Sequence, residues 1–182
     1  MSANNQSEPI VYCTVYSSLG EILAAHSQRG VVAIALGDGV DSLTAHLLSL
    51  YPQAIQSADD CSLQQTLGKL VSHVDNPATA LELTLDIRGT KFQQQVWQAL
   101  RQIPAGTTQS YSQVARNMGA ANAFRAVAAA CAANRLALVI PCHRVISANG
   151  GLSGYRWGVE RKQLLLDQEA KLTNYPVTEL GV

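Results

Sequence analysis

The sequence predicts a mixed α/β (α+β) fold, in which a small three-stranded sheet with helices precedes a mostly helical half. Three β-rich runs separated by turn residues lie before residue 37. Beyond them, apolar residues recur at helical spacing between capping residues and glycine or proline stops. With 182 residues, 47% of them hydrophobic, the chain is long enough to bury a core. We predict an α/β structural domain over residues 1–85 and a second domain over residues 86–182.

The three strands are predicted as a meander. Residues 10–16 are rich in β-branched and aromatic side chains, and Gly20 belongs to the turn that follows them. Residues 21–26 run back, and Gly30 turns the chain into residues 31–36. Such short turns join antiparallel neighbours.

Helices are predicted from apolar spacing and from residues that start or stop a helix. They cover residues 43–50 before Pro52, 61–74 before Pro77, a helix capped by Thr90 with Phe92, Val96, Trp97 and Leu100, then 111–118, 123–133 and 159–170. In the last helix we expect Leu164, Leu165 and Leu166 to pack inward.

Charge is segregated along the chain, although the formal net charge is zero. Residues 1–86 hold nine acidic residues against only Arg29 and Lys69. Residues 87–159 hold no acidic residue but eight basic ones, which are Arg88, Lys91, Arg101, Arg116, Arg125, Arg135, Arg144 and Arg156. An acid-free, arginine-rich segment is typical of proteins that bind a phosphate-rich partner, so we predict nucleic acid binding. The alternative is that a largely buried segment has no need of acids.

Cysteine and histidine spacing indicates neither a disulfide framework nor a metal site. The four cysteines are widely scattered and form no Cys-x-x-Cys pair, as is typical of reduced thiols in a cytoplasmic protein. We predict no cofactor and no metal, while a structural zinc is left open on Cys13, His26, Cys61 and His73. No apolar run is long enough to span a membrane, and the polar residues 1–7 lack the apolar stretch of a signal peptide.

Residues 111–133 follow the pattern of a helix, a glycine-containing turn and a second helix, which predicts a helix-turn-helix. After Arg125 the second helix consists mostly of alanine and has no long polar side chain to read base edges. Small side chains allow close approach to the minor groove, so we expect DNA binding with little sequence preference. A tightly packed core helix would have a similar composition.

A Pro-Cys-His-Arg sequence at residues 141–144 carries the most obvious chemistry. β-Branched residues on both sides predict short buried strands or extended runs, with the cysteine at a rigid break after the proline. An adjacent imidazole and guanidinium, from His143 and Arg144, would favour the thiolate of Cys142. The alternative is a buried, unreactive cysteine, because sequence neighbours need not be in contact.

Four runs of sequence together resemble one family of DNA-repair proteins. They are Asp-Ile-Arg-Gly-Thr-Lys-Phe-Gln-Gln-Gln-Val-Trp from residue 86, Arg-Ala-Val-Ala from 125, Pro-Cys-His-Arg-Val from 141 and Leu-Ser-Gly-Tyr-Arg-Trp-Gly-Val from 152. Over about residues 10–170 the chain resembles the O6-alkylguanine-DNA alkyltransferases, in particular their bacterial Ada-type branch. Relatives that only bind lesions carry tryptophan where this chain has Cys142, so the resemblance is to the branch that transfers alkyl groups.

The resemblance implies a catalytic role for four residues. Cys142 would accept the alkyl group, and His143 would act as its base through a water that Glu169 orients. Asn134 would hold the turn between the second helix of the pair and the cysteine.

The resemblance also implies two sets of binding residues. The DNA-binding set is Tyr111, which would help rotate the lesion out, Arg125, which would fill the gap in the stack, and Ala126 and Arg135. The substrate-pocket set is Val145, Ser153, Tyr155, Arg156 and Trp157. The bulk of the last two residues leaves the tolerance of large alkyl groups open.

The expected function is single-turnover DNA repair. An alkyl group on guanine O6 is out of reach inside a stacked duplex, so the nucleotide must be flipped out. The family transfers alkyl groups from O6-alkylguanine, and also from O4-alkylthymine, and the thioether formed on Cys142 could not be hydrolysed. The resemblance implies a winged-type helix-turn-helix, double-stranded DNA as partner, and a cytoplasmic monomer with no obligate protein partner.

Two rival functions are considered. The first is a non-catalytic module that binds DNA lesions. The second is a cysteine hydrolase that uses Cys142 and His143, against which the acid-free arginine segment argues.

Overall fold

The computed structural model describes residues 8–152 and 154–173. The N-terminal half contains β1 (Val11–Ser17), β2 (Gly20–Ser27), β3 (Gly30–Gly37), α1 (Val40–Leu50), β4 (Ile55–Gln56) and α2 (Cys61–Asp75). The C-terminal half contains α3 (Lys91–Leu100), β5 (Gln109–Ser110), α4 (Tyr111–Asn117), α5 (Phe124–Ala132), a 3-10 turn (Cys142–Arg144), β6 (Val145–Ile146) and α6 (Val159–Thr173). The mixed α/β class and the predicted helices are confirmed, with ends shifted by a few residues.

The N-terminal sheet has the strand order β3-β2-β1-β4. β1, β2 and β3 are antiparallel neighbours, so the predicted meander is confirmed. β4 pairs in parallel with β1, with Val11 opposite Ile55, and adds a fourth strand that the sequence did not predict. Because β4 is only two residues long and both are exposed, it leaves no β-rich run to recognise.

β2 forms the centre of the N-terminal core. Its consecutive residues 22–25 are all fully buried, which requires cover on both faces of the sheet. α1 packs against β2 and β3, while α2 packs against β1 and β2. α1 and α2 therefore complete the core, because the sheet by itself could not keep the side chains of β2 away from water.

The segment that connects the two halves, around residues 84–86, pairs with the start of β3. Val31 N donates to Thr84 O over 2.9 Å, and Asp86 N donates to Val31 O over 2.8 Å. Gly30 permits this close approach, because a Cβ there would lie 2.5 Å from Thr84 O and φ is +138°. Buried residues of both halves belong to one continuous core, and the division at residue 86 stays a prediction.

The segment before Cys142 is a series of turns, so the short strand or extended run predicted on that side is wrong. Ile34 N donates to Arg135 O and Ala137 N donates to Ile34 O. These two bonds form one isolated β-bridge, between Ile34 and Leu136, which joins the segment to β3. Leu138 then adopts φ +70°, a left-handed conformation that is strained for leucine. Of the β-branched residues that follow, Ile140 is fully buried and Val139 partly buried, and neither is part of a sheet.

The start of α4 is placed beside the Cys142 turn by a short parallel pairing. β5 pairs with β6, with Gln109 opposite Val145. Ser110 caps α4 in a capping box with Gln113, as Thr90 caps α3 with Gln93, and the predicted cap at Thr90 is confirmed.

α6 turns a different face to the core than expected. Leu165 is buried, but Leu164 is 48% exposed, so the inward packing predicted for Leu164 is wrong. The buried positions are Lys162, Leu165 and Glu169, at the spacing of one helix face. In the described stretches, no helix is long and apolar enough to cross a membrane.

Candidate active site

Cys142 lies in the wall of a cavity of about 460 Å³. The cavity is lined by Tyr111, Ala128, Cys131, Ala132, Cys142, Gly154, Tyr155 and Arg156. Cys142 is 5% exposed and opens the 3-10 turn that follows Pro141. The sulfur is therefore withdrawn from bulk solvent while it borders a space that could hold a planar group.

Asn134 holds the turn that presents Cys142. Its Nδ2 donates to Ile140 O over 3.0 Å and to Cys142 Sγ over 3.2 Å. Its Oδ1 accepts from Leu136 N over 2.9 Å, and the side chain is almost fully buried. One amide thus joins both ends of the strained turn around Leu138 to the sulfur, while the catalytic role that the family resemblance implies for Asn134 stays a prediction.

His143, the residue after Cys142, forms a buried pair with Glu169. His143 Nε2 lies 2.8 Å from Glu169 Oε1. A carboxylate can only accept, so the neutral imidazole carries its proton on Nε2 and leaves a lone pair on Nδ1. Nδ1 is buried and has no hydrogen-bond partner among the described residues. The pair thus presents a base whose unprotonated nitrogen is not engaged elsewhere.

The two pKa values of the pair move in the same direction. Burial, the largest effect, lowers the pKa of His143, and the hydrogen bond to Glu169 only partly opposes it. Burial alone would raise the pKa of Glu169, but hydrogen bonds from His143 and Arg144 outweigh it and lower the pKa to about 2. Glu169 is therefore ionised, and His143 is neutral and able to take a proton.

Arg144 does not face the sulfur. Its Nε and Nη2 donate to the carboxylate of Glu169 over 2.9–3.2 Å, and its Nη1 donates to Ile103 O over 2.6 Å. The expectation that this guanidinium favours the thiolate is wrong, since the arginine instead fixes the carboxylate that orients His143. Sequence adjacency misled here because the 3-10 turn sends successive side chains in different directions.

The thiol of Cys142 is not ionised in the resting protein. Burial raises the pKa of Cys142, while the hydrogen bond from Asn134 and the charges of Lys162 and Arg156 act in the opposite direction without overcoming it. The predicted resting thiolate is therefore wrong. The nucleophile must be generated by proton transfer when a substrate is bound.

Lys162 is a residue of the site that the sequence analysis missed. It is fully buried on α6, and its Nζ donates to Val145 O over 2.6 Å. Burial lowers the pKa of Lys162, and Cys142 lies close enough to act on it electrostatically. The spacing of Lys162 to Leu165 and Glu169 on one helix face was the available signal.

The helices α4 and α5 pack against each other across a turn at residues 118–123. Tyr111, the first residue of α4, lines the cavity. Arg125 and Ala126 are exposed in the first turn of α5, and Arg125 lies over the ring of Phe124, which is 42% exposed. An exposed arginine and an exposed phenylalanine thus lie side by side at the start of α5, and the remaining side chains of this helix are mostly small.

Arg135 is engaged within the protein. Its Nη1 donates to Tyr51 Oη over 3.3 Å, and its guanidinium lies 5.9 Å from the centre of the Tyr51 ring. Its predicted DNA contact stays a prediction, and in this structure Arg135 connects the two halves.

The predicted substrate-pocket residues divide into two groups. Tyr155 and Arg156 line the cavity, whereas Val145 and Trp157 are buried and are not among its described lining residues. Ser153 lies outside the described residues. Burial raises the pKa of Tyr155 well above its usual value, so its hydroxyl stays protonated.

The two histidines of the set on which a zinc site was left open make other contacts. His26 lies within hydrogen-bond distance of Ser62 and Thr66, and His73 Nδ1 lies 2.8 Å from Thr79 O. Across residues 8–152 and 154–173, no three metal-ligating side chains converge.

Comparison with known proteins relates this geometry to one family. The profile described as "6-O-methylguanine DNA methyltransferase, DNA binding domain" matches residues 91–171. The chain is 51% identical over 160 residues to the Bifunctional transcriptional activator/DNA repair enzyme Ada of Escherichia coli, covering 88% of this chain and 45% of that protein. It thus spans less than half the length of that relative. It is 43% identical over 111 residues to the Methylated-DNA--protein-cysteine methyltransferase of Mycobacterium bovis, covering 61% of this chain and 67% of that protein.

Solved structures give the same relationship along most of the chain. The crystal structure of Mycobacterium tuberculosis OGT in complex with DNA superposes with a TM-score of 0.76 and 33% identity. The match covers 88% of this chain and 93% of that protein. Sequence and fold therefore agree that this chain belongs to the 6-O-methylguanine DNA methyltransferase family.

Proposed function

We propose that this protein repairs DNA by moving the alkyl group of O6-alkylguanine, and of O4-alkylthymine, irreversibly onto Cys142. The observation that carries the proposal is the position of Cys142, in the wall of a cavity and hydrogen-bonded by Asn134. The family membership and the match to a DNA complex of a relative support the choice of DNA as the partner.

The chemical step requires one proton transfer and one displacement. As the lesion enters the cavity, a water carries the proton of Cys142 to His143, because the Nδ1 lone pair of His143 is free and Glu169 stabilises the imidazolium. The thiolate then attacks the alkyl carbon in line, so that the S–C bond forms while the O6–C bond breaks. Overall the thiol loses one proton and the repaired guanine gains one.

Several charges assist the thiolate and the leaving base. The charges of Lys162 and Arg156 both favour the anion of Cys142. The Tyr155 hydroxyl is buried and has no hydrogen-bond partner among the described residues, so it can donate to the guanine as negative charge develops on the ring. These groups act most strongly when the cavity is closed to water by the base itself.

DNA must deliver the base to the cavity in an extrahelical position. Cys142 is only 5% exposed, so its sulfur cannot reach guanine O6 in a stacked duplex, and the nucleotide has to rotate out. We propose that α4 and α5 act as a helix-turn-helix, with Ala126 allowing close approach to the minor groove and Arg125 filling the gap in the stack. Tyr111, at the start of α4 and on the rim of the cavity, would crowd the phosphate of the flipped nucleotide.

The product fixes the stoichiometry. A thioether has no acyl or phosphoryl bond that a water could attack, and no described group of the site could return the thiol. Each protein molecule is therefore used once. The four free cysteines agree with a reducing, cytoplasmic location, which we also propose.

The test uses duplex DNA that contains O6-methylguanine with a labelled methyl group, followed by peptide mass analysis. We expect one label per protein on the Cys142 peptide. Cys131 borders the same cavity, so Cys131→Ala is the matched control and should still accept the label.

Other outcomes would point to other functions. Lesion binding without transfer would support a lesion-binding module, and repeated turnover would support a hydrolase. Label on the Cys131 peptide in place of the Cys142 peptide would refute the assignment of the acceptor.

A further inference from the structure

Arg156 connects the wall of the Cys142 cavity to the N-terminal half of the protein. Its Nη1 donates to Ala132 O, at the C-terminal end of α5, over 3.0 Å, and its Nη2 lies 2.8 Å from His46 Nε2 on α1. The guanidinium also lies 5.3 Å from the centre of the Trp157 ring. Because Arg156 lines the same cavity as Cys142, these contacts fix part of the cavity wall.

His46 accepts the hydrogen bond from Arg156, since a guanidinium carries only donors. The imidazole must therefore be neutral, with its proton on Nδ1 and a lone pair on Nε2. The ring also meets Trp157 edge to face, with 6.1 Å between ring centres. A protonated His46 would have no lone pair for Arg156 and would place a second cation beside it.

We propose that neutral His46 is a positioning residue for alkyl transfer, which holds Arg156 in the cavity wall and releases it on protonation. The inference rests on the proposed function, because the cavity wall matters only if a base enters. His46 touches no reacting atom and acts through Arg156. Through His46, the N-terminal half would help to shape the active site as well as support the fold.

The groups that face His46 keep it neutral. Arg156 approaches from the loop after β6 and Arg135 from the segment after α5, and His46, Arg135 and Trp157 also line a common small cavity. Burial, followed by the charges of Arg156 and Arg135, lowers the pKa of His46. The hydrogen bond is therefore present near neutral pH and is lost as the pH falls through this lowered pKa.

The first test is a double-mutant cycle on the rate of methyl transfer from duplex O6-methylguanine. Loss of one hydrogen bond predicts that His46→Ala slows transfer about fivefold at pH 7.5. His46→Gln keeps an acceptor that does not titrate, so it should restore the rate and hold it to a lower pH than the wild-type protein, in which His46 becomes protonated. In the Arg156→Ala background, His46→Ala should have no further effect, because both changes remove the same contact.

The second test is nitrogen NMR of the His46 imidazole, which needs no alkyl transfer. We expect the tautomer with the proton on Nδ1, and we expect Arg156→Ala to raise the pKa of His46. Thermal unfolding of each variant shows whether the fold is retained.

The two tests separate failure of the inference from failure of the proposed function. Rate effects of His46→Ala and Arg156→Ala that simply multiply, or a His46 pKa that does not respond to Arg156→Ala, would overturn the positioning role. Wild-type protein that carries no label on Cys142 would overturn the proposed function, while the NMR comparison would still decide whether His46 and Arg156 are coupled.

Discussion

His143 Nε2 and Glu169 Oε1 lie 2.8 Å apart, with both side chains almost completely buried. Glu169 also accepts from Arg144 and from Gly106 N, so its carboxylate is held on three sides. An ion of this kind costs several kcal/mol to bury and is retained only when its partners are well placed. The arrangement fixes the tautomer of His143 and so directs Nδ1, the basic nitrogen, away from the carboxylate.

The first prediction removes the nucleophile. Cys142→Ala should abolish methyl transfer and leave affinity for duplex DNA with O6-methylguanine within about threefold, because the thiol contributes little contact area. Gel-shift titration measures binding, and label on protein measures transfer. Transfer that persists in Cys142→Ala would contradict the assignment.

The second prediction concerns the charge of Glu169. Glu169→Gln keeps an acceptor for His143 Nε2 but removes the negative charge that stabilises the imidazolium. The loss of effective general-base catalysis predicts a rate about 100-fold lower at pH 7.5. Single-turnover kinetics with saturating protein isolate the chemical step. Glu160→Gln, at an exposed glutamate in the first turn of α6, is the matched control and should transfer at the wild-type rate.

The third prediction is the pH dependence of stability. Glu169 has a pKa of about 2 in the folded protein, against 4.5 as its ordinary value. A depressed carboxyl pKa contributes stability above the unfolded pKa, and that stability is lost as the pH falls through the folded pKa. Between pH 4.5 and 2 the wild-type protein should therefore lose unfolding free energy more steeply than Glu169→Gln. Urea titrations at stepped pH provide the measurement, and parallel slopes for the two proteins would argue against the shift.

Features fixed by local chemistry could be predicted from the sequence. Thr90 and Gln93 form a capping box within four residues, so the start of α3 follows from the sequence alone. Glycines at the turns and β-rich runs between them gave the meander of β1, β2 and β3. The contact of Asn134 with Cys142 was not predicted, because the family resemblance implied only that Asn134 holds the turn, and no spacing indicated it.

Features that depend on where side chains point in the folded protein could not be predicted. Arg144 follows His143 in sequence, yet it turns to Glu169 and away from the sulfur. A buried lysine contradicts the usual surface preference, so Lys162 was assigned no role although its spacing fits the inner face of α6. Likewise, the contact between His46 and Arg156 joins residues 110 positions apart, and no local pattern indicates it.

The fourth prediction tests the charge near the sulfur. Lys162→Met keeps most of the buried volume but removes the cation that favours the thiolate of Cys142. The pKa of Cys142 should rise further, and methyl transfer should slow about tenfold through the lost electrostatic stabilisation. Iodoacetamide alkylation across a pH series reports the thiol pKa. Lys171→Met, at an exposed lysine of the same helix, is the matched control, and equal effects of the two changes would exclude a local role for Lys162.

The fifth prediction concerns Arg125, which is exposed on the first turn of α5 beside Phe124. A flipped nucleotide leaves a gap in the stack, and unstacking costs a few kcal/mol, so loss of the side chain that fills the gap should slow duplex repair at least about tenfold in Arg125→Ala. Methyl transfer from the free O6-methylguanine base needs no such filling and should change much less. Arg101→Ala, at an exposed arginine at the end of α3, controls for the lost positive charge. Equal losses of Arg125→Ala on duplex and free base would show that Arg125 acts on the cavity and not on the DNA stack.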